Sequence, residues 1–587
     1  MLRLIAYLKP HNKAALAAII SMLIVVMADL FLPTLMAKIV DQGIAKGNLN
    51  LIIKTGLLMV GVALLGVAGG IGSTYFASAA AVRFSTDVRT DFFQKVQTFS
   101  FDDLDQFKTA SLITRLTNDV AQMQNIVMLM LRILIRSPIL LLGSLLMAFF
   151  INTRLALVLL VTVPILALAV CYVIMKGFPL FEKVQQELDR INAVSRENLA
   201  GVRVVKAFAR ADYEKDRFGQ KNQQLTALTI KASRTMALNM PLTMLIMNMS
   251  ILTVLWFGGV QVNTGQMMVG QVIAFTNYMT LILFSLMIAG YMLMMVSRAK
   301  VSWDRIMEVL NTETDIQDVV EDMALGNPLY VPREPVSPIQ EGRVDFENVS
   351  FFYQGAAGTP VLQNITFSAR PGETVAILGA TGSGKSTLVN LIPRFYDVSQ
   401  GRILIDGVDV RQIPHNQLRG KIGLVPQESI LFSGTIRENI RWGRDDALDE
   451  EIIEAARAAQ AHRFISKWPR GYDTVLGQRA VNLSGGQKQR LTIARALLKK
   501  PTVLILDDST SAVDMQTEAL IQRALKIYLP YCTTFVVAQR INTVLGADKI
   551  LVLDDGQMVA LGTHDDLIKT CSVYRDIYRS QLGKEAV

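Results

Sequence analysis

Apolar positions crowd into the first three hundred residues and then thin out abruptly. Six stretches, near 15–38, 55–82, 127–151, 155–175, 237–262 and 270–297, each approach or exceed the about 20 apolar residues that a membrane-spanning helix requires. Short links follow the first, third and fifth of them. The connections 83–126 and 176–236 are long and keep a helical period, so they predict helices that run on well past the bilayer. Twelve Lys or Arg residues lie between Lys176 and Arg234, and none lies in the link after the fifth span. Positive charge collects on the cytoplasmic side of membranes, so both long connections and both termini are expected there. The start, Met1 to Lys13, mixes polar and apolar residues around Pro10 and predicts a helix lying in the membrane interface.

Beyond residue 310 the pattern changes twice. Residues 311–342 carry acidic runs together with Pro328, Pro332, Pro335 and Pro338, a composition suited to a linker. From 343 to 587 short β-rich runs alternate with helical ones: Thr374–Gly379, Val503–Asp507 and Thr534–Ala538 predict buried strands. Asp555-Gly556 predicts a hairpin turn between Ile550–Leu553 and Met558–Leu561. The expected fold is thus an α-helical membrane domain over 1–310, with six spans and long cytoplasmic extensions, fused through a linker at 311–342 to an α/β nucleotide-binding domain over 343–587.

Composition narrows this further. Hydrophobic residues make up 51% of the 587 residues and charged ones 19%, and the net charge is +9. The basic residues are dispersed beside apolar spans, so the bilayer accounts for them and no nucleic acid is expected as a partner. Cys171, Cys532 and Cys571 fit neither a disulfide framework nor metal-ligand spacing, and are read as structural.

The strongest chemical signal is Gly379-Ala380-Thr381-Gly382-Ser383-Gly384-Lys385-Ser386-Thr387, set between a predicted strand and a helical run at Leu388–Pro393. Glycines let backbone N–H groups turn toward phosphate oxygens, the helix N-terminus adds positive potential, Lys385 reaches the outer phosphates and Ser386 offers a hydroxyl to Mg²⁺. The implied ligands are ATP and Mg²⁺. Downstream, the apolar run Val503–Leu506 ends in Asp507, a carboxylate placed as in Mg²⁺-holding strands of phosphate-loop enzymes. Leu483-Ser484-Gly485-Gly486-Gln487 lies twenty residues before Asp507, and Ser511-Ala512-Val513-Asp514 lies just after it.

On these motifs the chain resembles the ATP-binding cassette (ABC) exporters whose membrane domain is fused ahead of the cassette. The resemblance spans almost the whole sequence. It implies that Tyr353 stacks on adenine, that Gln427 in Val425-Pro426-Gln427 touches Mg²⁺ and senses the γ-phosphate, and that Ser484 to Gln487 close over nucleotide held by a second cassette. With one cassette per chain, the transporter must be a dimer. The same resemblance marks Ile113–Asp119 and Glu197–Phe208 as cytoplasmic coupling segments, the second docking in the partner's cassette.

Two positions depart from the family. The residue after Asp507, normally a water-polarising glutamate, is Asp508; its side chain is one methylene shorter, and general-base chemistry needs contact at about 2.6–3.2 Å. Thirty-one residues on, the family histidine is replaced by Gln539, which donates a hydrogen bond but carries no charge; His11, His415, His462 and His564 all lie elsewhere. A smaller departure is Gln478, where the family usually has an acidic residue. Substitutions confined to hydrolysis, beside intact ATP-holding residues, resemble the degenerate subunit of bacterial heterodimeric multidrug exporters. The expected partner is a different half-transporter that carries the glutamate and histidine. A slowly hydrolysing homodimer, or a regulatory or channel-like protein on the same scaffold, is the alternative.

Within the spans, Asp29, Arg132, Arg136 and Asn248 are polar groups in costly surroundings, either functional or paired between helices. Asp41 is a candidate for pairing across an external gate. Methionines crowd spans five and six, at Met240, Met244, Met247, Met249, Met287, Met292, Met294 and Met295. Flexible thioethers suit a cavity for varied lipophilic small-molecule cargo, although they also fill ordinary helix gaps.

Overall fold

A computed structural model describes residues 2–314, 316, 339–353, 360–509 and 513–582. Most of the expected linker, Ser511, Ala512 and the side chains of Met292 and Met294 lie outside the described residues. The chain forms two compact units, one of Met1–Gln97 with Ala110–Thr312, the other of Thr98–Thr109 with Glu313–Val587.

In the first unit, among the described residues, six helices are long and apolar enough to cross a membrane. They are α1 (Ala6–Ile44), α2 (Leu49–Gln97), α4 (Thr109–Ile151), α5 (Thr153–Ala200), α7 (Ala211–Asn263) and α8 (Val269–Asn311). Two short helices interrupt them, α3 (Phe101–Phe107) and α6 (Val202–Ala207). As the periodicity predicts, helices run on well past bilayer length; α2 has 49 residues and is about 70 Å long. The buried faces of α1, α4, α5, α7 and α8 meet in one cluster that includes Val26, Leu140, Leu159, Phe275, Tyr278 and Ile282. Outward faces stay apolar, with Leu57, Leu64, Ile71, Leu160 and Trp256 all exposed, the inverse of a soluble helix and the form that lipid or another apolar chain requires.

Two of the intramembrane charges pair with each other, while Arg132 Nε is buried with no hydrogen-bond partner among the described residues. Arg136 Nη2 donates to Asp29 Oδ2 at 2.9 Å, joining α4 to α1, so pairing between helices accounts for both groups. Asp41 accepts from the Gly270 backbone N–H at 2.6 Å and so caps the first turn of α8; it is engaged within its own chain, and the gate expected from sequence is replaced by a helix cap. The approach is close enough that a Cβ on Gly270 would lie 2.5 Å from the Ala37 carbonyl oxygen. Gly270→Ala is therefore expected to destabilise the membrane unit by about 1–3 kcal/mol and Asp41→Ala by about 1 kcal/mol. Thermal unfolding in detergent checks both; equal melting of Gly270→Ala and the native chain would refute the close packing.

Among the described residues, the second unit is built on a ten-stranded sheet of order β5-β4-β1-β2-β12-β11-β3-β10-β9-β6. The strands are β1 (Val344–Phe351), β2 (Leu362–Ala369), β3 (Thr374–Gly379), β4 (Gln400–Ile405), β5 (Val408–Asp409), β6 (Ile422–Val425), β9 (Val503–Asp507), β10 (Thr533–Val537), β11 (Lys549–Asp554) and β12 (Gln557–Gly562); β7 (Gly434–Thr435) and β8 (Val475–Leu476) pair separately. Strands β11, β3, β10, β9 and β6 run parallel. All five residues of β9 are buried, as expected of a central strand covered on both faces. The hairpin forms where Asp555-Gly556 predicts it, with φ of 43° and 76°, and β12 lies one residue wider at each end than the pattern shows. Strand β10 starts one residue earlier than predicted.

Candidate nucleotide site

The register of the parallel strands assembles the site. Val537 of β10 lies opposite Asp507 of β9 and Ile377 of β3, so the loop after Gly379, the pair Asp507-Asp508 and Gln539 all emerge at the carboxyl edge of the sheet. Open α/β sheets bind ligands at that edge. After β3 the chain turns through Gly382 (φ 87°) and Gly384 (φ 92°) into helix α9 (Lys385–Leu391), which begins three residues earlier than the helical run suggests. Glycine is required at 384: besides the left-handed φ, a Cβ there would sit 2.8 Å from Leu362 Cδ2 and 2.9 Å from the Val361 carbonyl oxygen.

Lys385 is buried and donates to the carbonyl oxygens of Gly379 at 2.9 Å and Ala380 at 2.7 Å, so its own loop holds it in place. Burial lowers its pKa, opposed by the carboxylates of Asp508 and Asp507. Ser386 Oγ donates to Asp507 Oδ1 at 3.0 Å, and burial raises the pKa of Asp507. A hydroxyl and a carboxylate at that separation are hard oxygen donors of the type Mg²⁺ takes, and Ser383 Oγ is buried with no hydrogen-bond partner among the described residues. The residues present therefore fit a phosphate and its metal ion. The cleft they line measures about 380 Å³ and also includes Tyr353, Thr381, Thr387, Gln427, Asp508 and Gln539. The phenol of Tyr353 lies 3.0 Å from Thr387 Oγ1, which fixes its ring beside the loop.

Asp508 has φ 46°, and Gln539 Nε2 donates to its Oδ2 at 2.9 Å; Gln427 Nε2 reaches the same oxygen at 3.5 Å. Burial raises the Asp508 pKa, against the pull of Arg540 and Lys385. Two neutral amides thus reach one oxygen of this carboxylate.

Other candidates stand apart. Ser484 caps helix α10 (Gly485–Leu498) in a capping box: its hydroxyl accepts from Gln487 N at 3.3 Å, and Gln487 Oε1 accepts from Ser484 N at 3.0 Å. Neither these residues nor Gly485 and Gly486 line the cleft that contains Lys385. Asp514 caps helix α11 (Met515–Tyr528), accepting from Thr517 N at 2.9 Å and Thr517 Oγ1 at 2.8 Å.

The first coupling segment is displaced from its expected place. Ile113–Asp119 lies inside α4, within the membrane unit, where Asp119 accepts from Ser302 Oγ at 2.8 Å and Arg115 donates to Glu308 at 2.7 Å. The segment that groups with the cassette is Thr98–Thr109, containing α3. Its start is set by a capping box between Ser100 and Asp103, visible in sequence but hidden there within one continuous helical period. In the second segment, α6 leaves Val204 and Phe208 exposed on this chain. Sequence reading also missed Tyr396, a buried aromatic beside Tyr353; the pair Phe395-Tyr396 after the phosphate-loop helix was the available signal.

Residues 15–287 match the family described as ABC transporter transmembrane region, and residues 362–511 match the family described as ABC transporter. The chain is 45% identical to the ABC transporter ATP-binding protein YfiB of Bacillus subtilis (strain 168), over 100% of this chain and 99% of that one. It is 37% identical to a fatty acid ABC transporter ATP-binding/permease protein of Mycobacterium bovis (strain ATCC BAA-935 / AF2122/97), over 84% of this chain and 76% of the relative. Among solved structures, a bacterial Atm1-family ABC exporter with ATP bound superposes with a TM-score of 0.78 at 26% identity, covering 98% of this chain and 99% of the other. Because both halves match, in this order on a single polypeptide, the chain belongs to the ABC transporter family and is one of its exporters, with membrane domain and ATP-binding cassette joined.

Proposed function

We propose that this chain is one subunit of a heterodimeric exporter that moves lipophilic compounds out of the cytoplasm across a bacterial cytoplasmic membrane, with both termini cytoplasmic, and that its own ATP site turns over slowly. In this reading the domains are 1–310, the linker 311–342 and the cassette 343–587. Tyr353 stacks on adenine, the loop from Gly379 to Thr387 cradles the phosphates, and Ser386, Gln427 and Asp507 hold Mg²⁺. The metal ion, when bound, offsets phosphate charge. Ser484, Gly485, Gly486 and Gln487, pre-ordered by their capping box, close over nucleotide on the partner, beside Asp514 at the start of the next helix. Closure of the two cassettes moves the long helices, and hydrolysis at the partner's site resets them.

The observation that carries the asymmetric part is the 2.9 Å bond from the Gln539 amide to Asp508. The shortened carboxylate is engaged by a group that can neither carry charge nor exchange a proton near neutral pH, while Lys385, Ser386 and Asp507 remain arranged to bind. The lipophilic cargo is supported by the apolar, methionine-rich helices and by a relative whose name specifies fatty acid. The purified chain alone is expected to hydrolyse ATP at under about a tenth of the rate of the complex with its partner, and ATP-driven uptake into inverted vesicles is expected to need both chains. Full turnover and uptake by this chain alone would identify a homodimer instead; uptake that never depends on ATP would point to a regulatory or channel-like protein.

A further inference from the structure

The adenine side of the nucleotide site is wired to the segment that joins α2 and α4. Helix α3 lies in the cassette unit. Its Phe101 ring is 4.5 Å from Phe395 at an interplanar angle of 36°, and 6.0 Å from Tyr396 at 50°. Tyr396 OH donates to Asp105 Oδ2 at 3.3 Å, so one docked helix grips Tyr396 through both its ring and its hydroxyl. On its other side Tyr396 stands perpendicular to Tyr353, centroids 5.3 Å apart, with Phe351 closing the cluster at 5.6 Å from Tyr396 and 4.9 Å from Tyr353. Tyr353 in turn reaches Thr387 of the phosphate loop. Tyr396 is 7% exposed, so these packed rings leave it little freedom to absorb a displacement. Burial, then the Asp105 carboxylate, holds its phenol well above the usual pKa, so it remains a donor at neutral pH.

We propose that Tyr396 is a positioning residue that sets the plane of Tyr353 for the adenine base and passes base occupancy to α3, so that the segment between α2 and α4 senses the adenine base. The inference rests on the nucleotide-site reading above. Edge-on aromatic contacts orient a ring without touching the ligand, and removing one frees the stacking platform to rotate. Phosphate binding, held by Lys385 and Ser386, does not pass through Tyr396. The two halves of the ligand are therefore separable by experiment.

The test compares ATP with inorganic tripolyphosphate, which offers phosphates without a base, on the full-length chain in nanodiscs. In the native chain, ATP is expected to slow amide exchange across residues 99–107 and tripolyphosphate to leave it unchanged. Tyr396→Leu is expected to weaken ATP binding about 5-fold, leave tripolyphosphate binding unchanged and abolish the exchange response. Phe101→Leu, on α3 and outside the nucleotide cleft, keeps the question answerable should the Tyr396→Leu chain fold poorly; it is expected to blunt the response without altering tripolyphosphate binding. Tyr396→Phe retains the ring and is expected to keep ATP affinity within about 2-fold. Equal losses for both ligands would reduce Tyr396 to general packing and overturn the proposal, as would unchanged ATP binding and exchange in both Leu variants. A native chain that bound tripolyphosphate but showed no preference for ATP would overturn it too, while one that bound neither would overturn the nucleotide-site reading itself.

Discussion

Replacing Asp508 with Glu together with Gln539 with His is expected to raise ATP cleavage in this chain's pocket by on the order of 10- to 100-fold in the assembled transporter. The added methylene returns a carboxylate oxygen to where a water beside the γ-phosphate can be deprotonated or oriented, and the imidazole supplies a group that can carry charge there. Both changes are needed. With Gln539 in place, its amide competes for the carboxylate across the 2.9 Å bond now seen, so Asp508→Glu alone is expected to recover only a small part of the gain. The backbone sets a limit as well: position 508 sits at φ 46°, a conformation aspartate tolerates better than glutamate, so the double variant is expected to lose roughly 1 kcal/mol of stability while gaining rate. Nucleotide trapped separately in each pocket, radiolabelled and scored for cleavage, distinguishes the sites. No change in this pocket would refute the proposed role of Asp508 and Gln539 in slowing turnover.

Lys385→Ala is expected to reduce ATP binding to this chain by at least about 100-fold, the larger effect on affinity of any single change here. Two losses combine. The ammonium no longer meets the outer phosphates, and the bonds that fold it onto Gly379 and Ala380 disappear, which loosens the loop whose N–H groups complete the site. Ser386→Ala is expected to act differently: without the hydroxyl that reaches Asp507 at 3.0 Å, binding weakens chiefly when Mg²⁺ is present. Photoaffinity labelling of each chain with and without the metal separates the two variants. Strong labelling of Lys385→Ala would place the nucleotide elsewhere.

These expectations began in the sequence because their signals are local. A run of apolar residues of bilayer length, a glycine-rich turn between strand and helix, and a strand ending in two aspartates are each complete within a few dozen residues. The two departures from the family were legible too, since Asp508 and Gln539 are identities at fixed spacing. What stayed hidden are contacts between distant positions. Arg136 meets Asp29 across 107 residues and Gly270 meets Asp41 across 229, and nothing near either residue announces the other. The docked helix α3 was missed for a related reason: its flanks share the helical period, so only its capping box and the left-handed Lys108 (φ 55°) mark its ends. Tyr396 belongs with these, an aromatic whose meaning comes from rings 43 and 295 positions away.

The bond between Asp41 and the start of α8 bears on how the pump can open. With a carboxylate seated on the first turn of the last helix, and that helix pressed against Ala37 too closely for even a methyl group, the adjoining ends of the first and last membrane helices are fastened into a single strut. Any outward release of cargo must then part surfaces elsewhere, between this strut and the remaining helices or along the seam with the partner, and cross-links that fasten residue 41 to residue 270 should leave transport running.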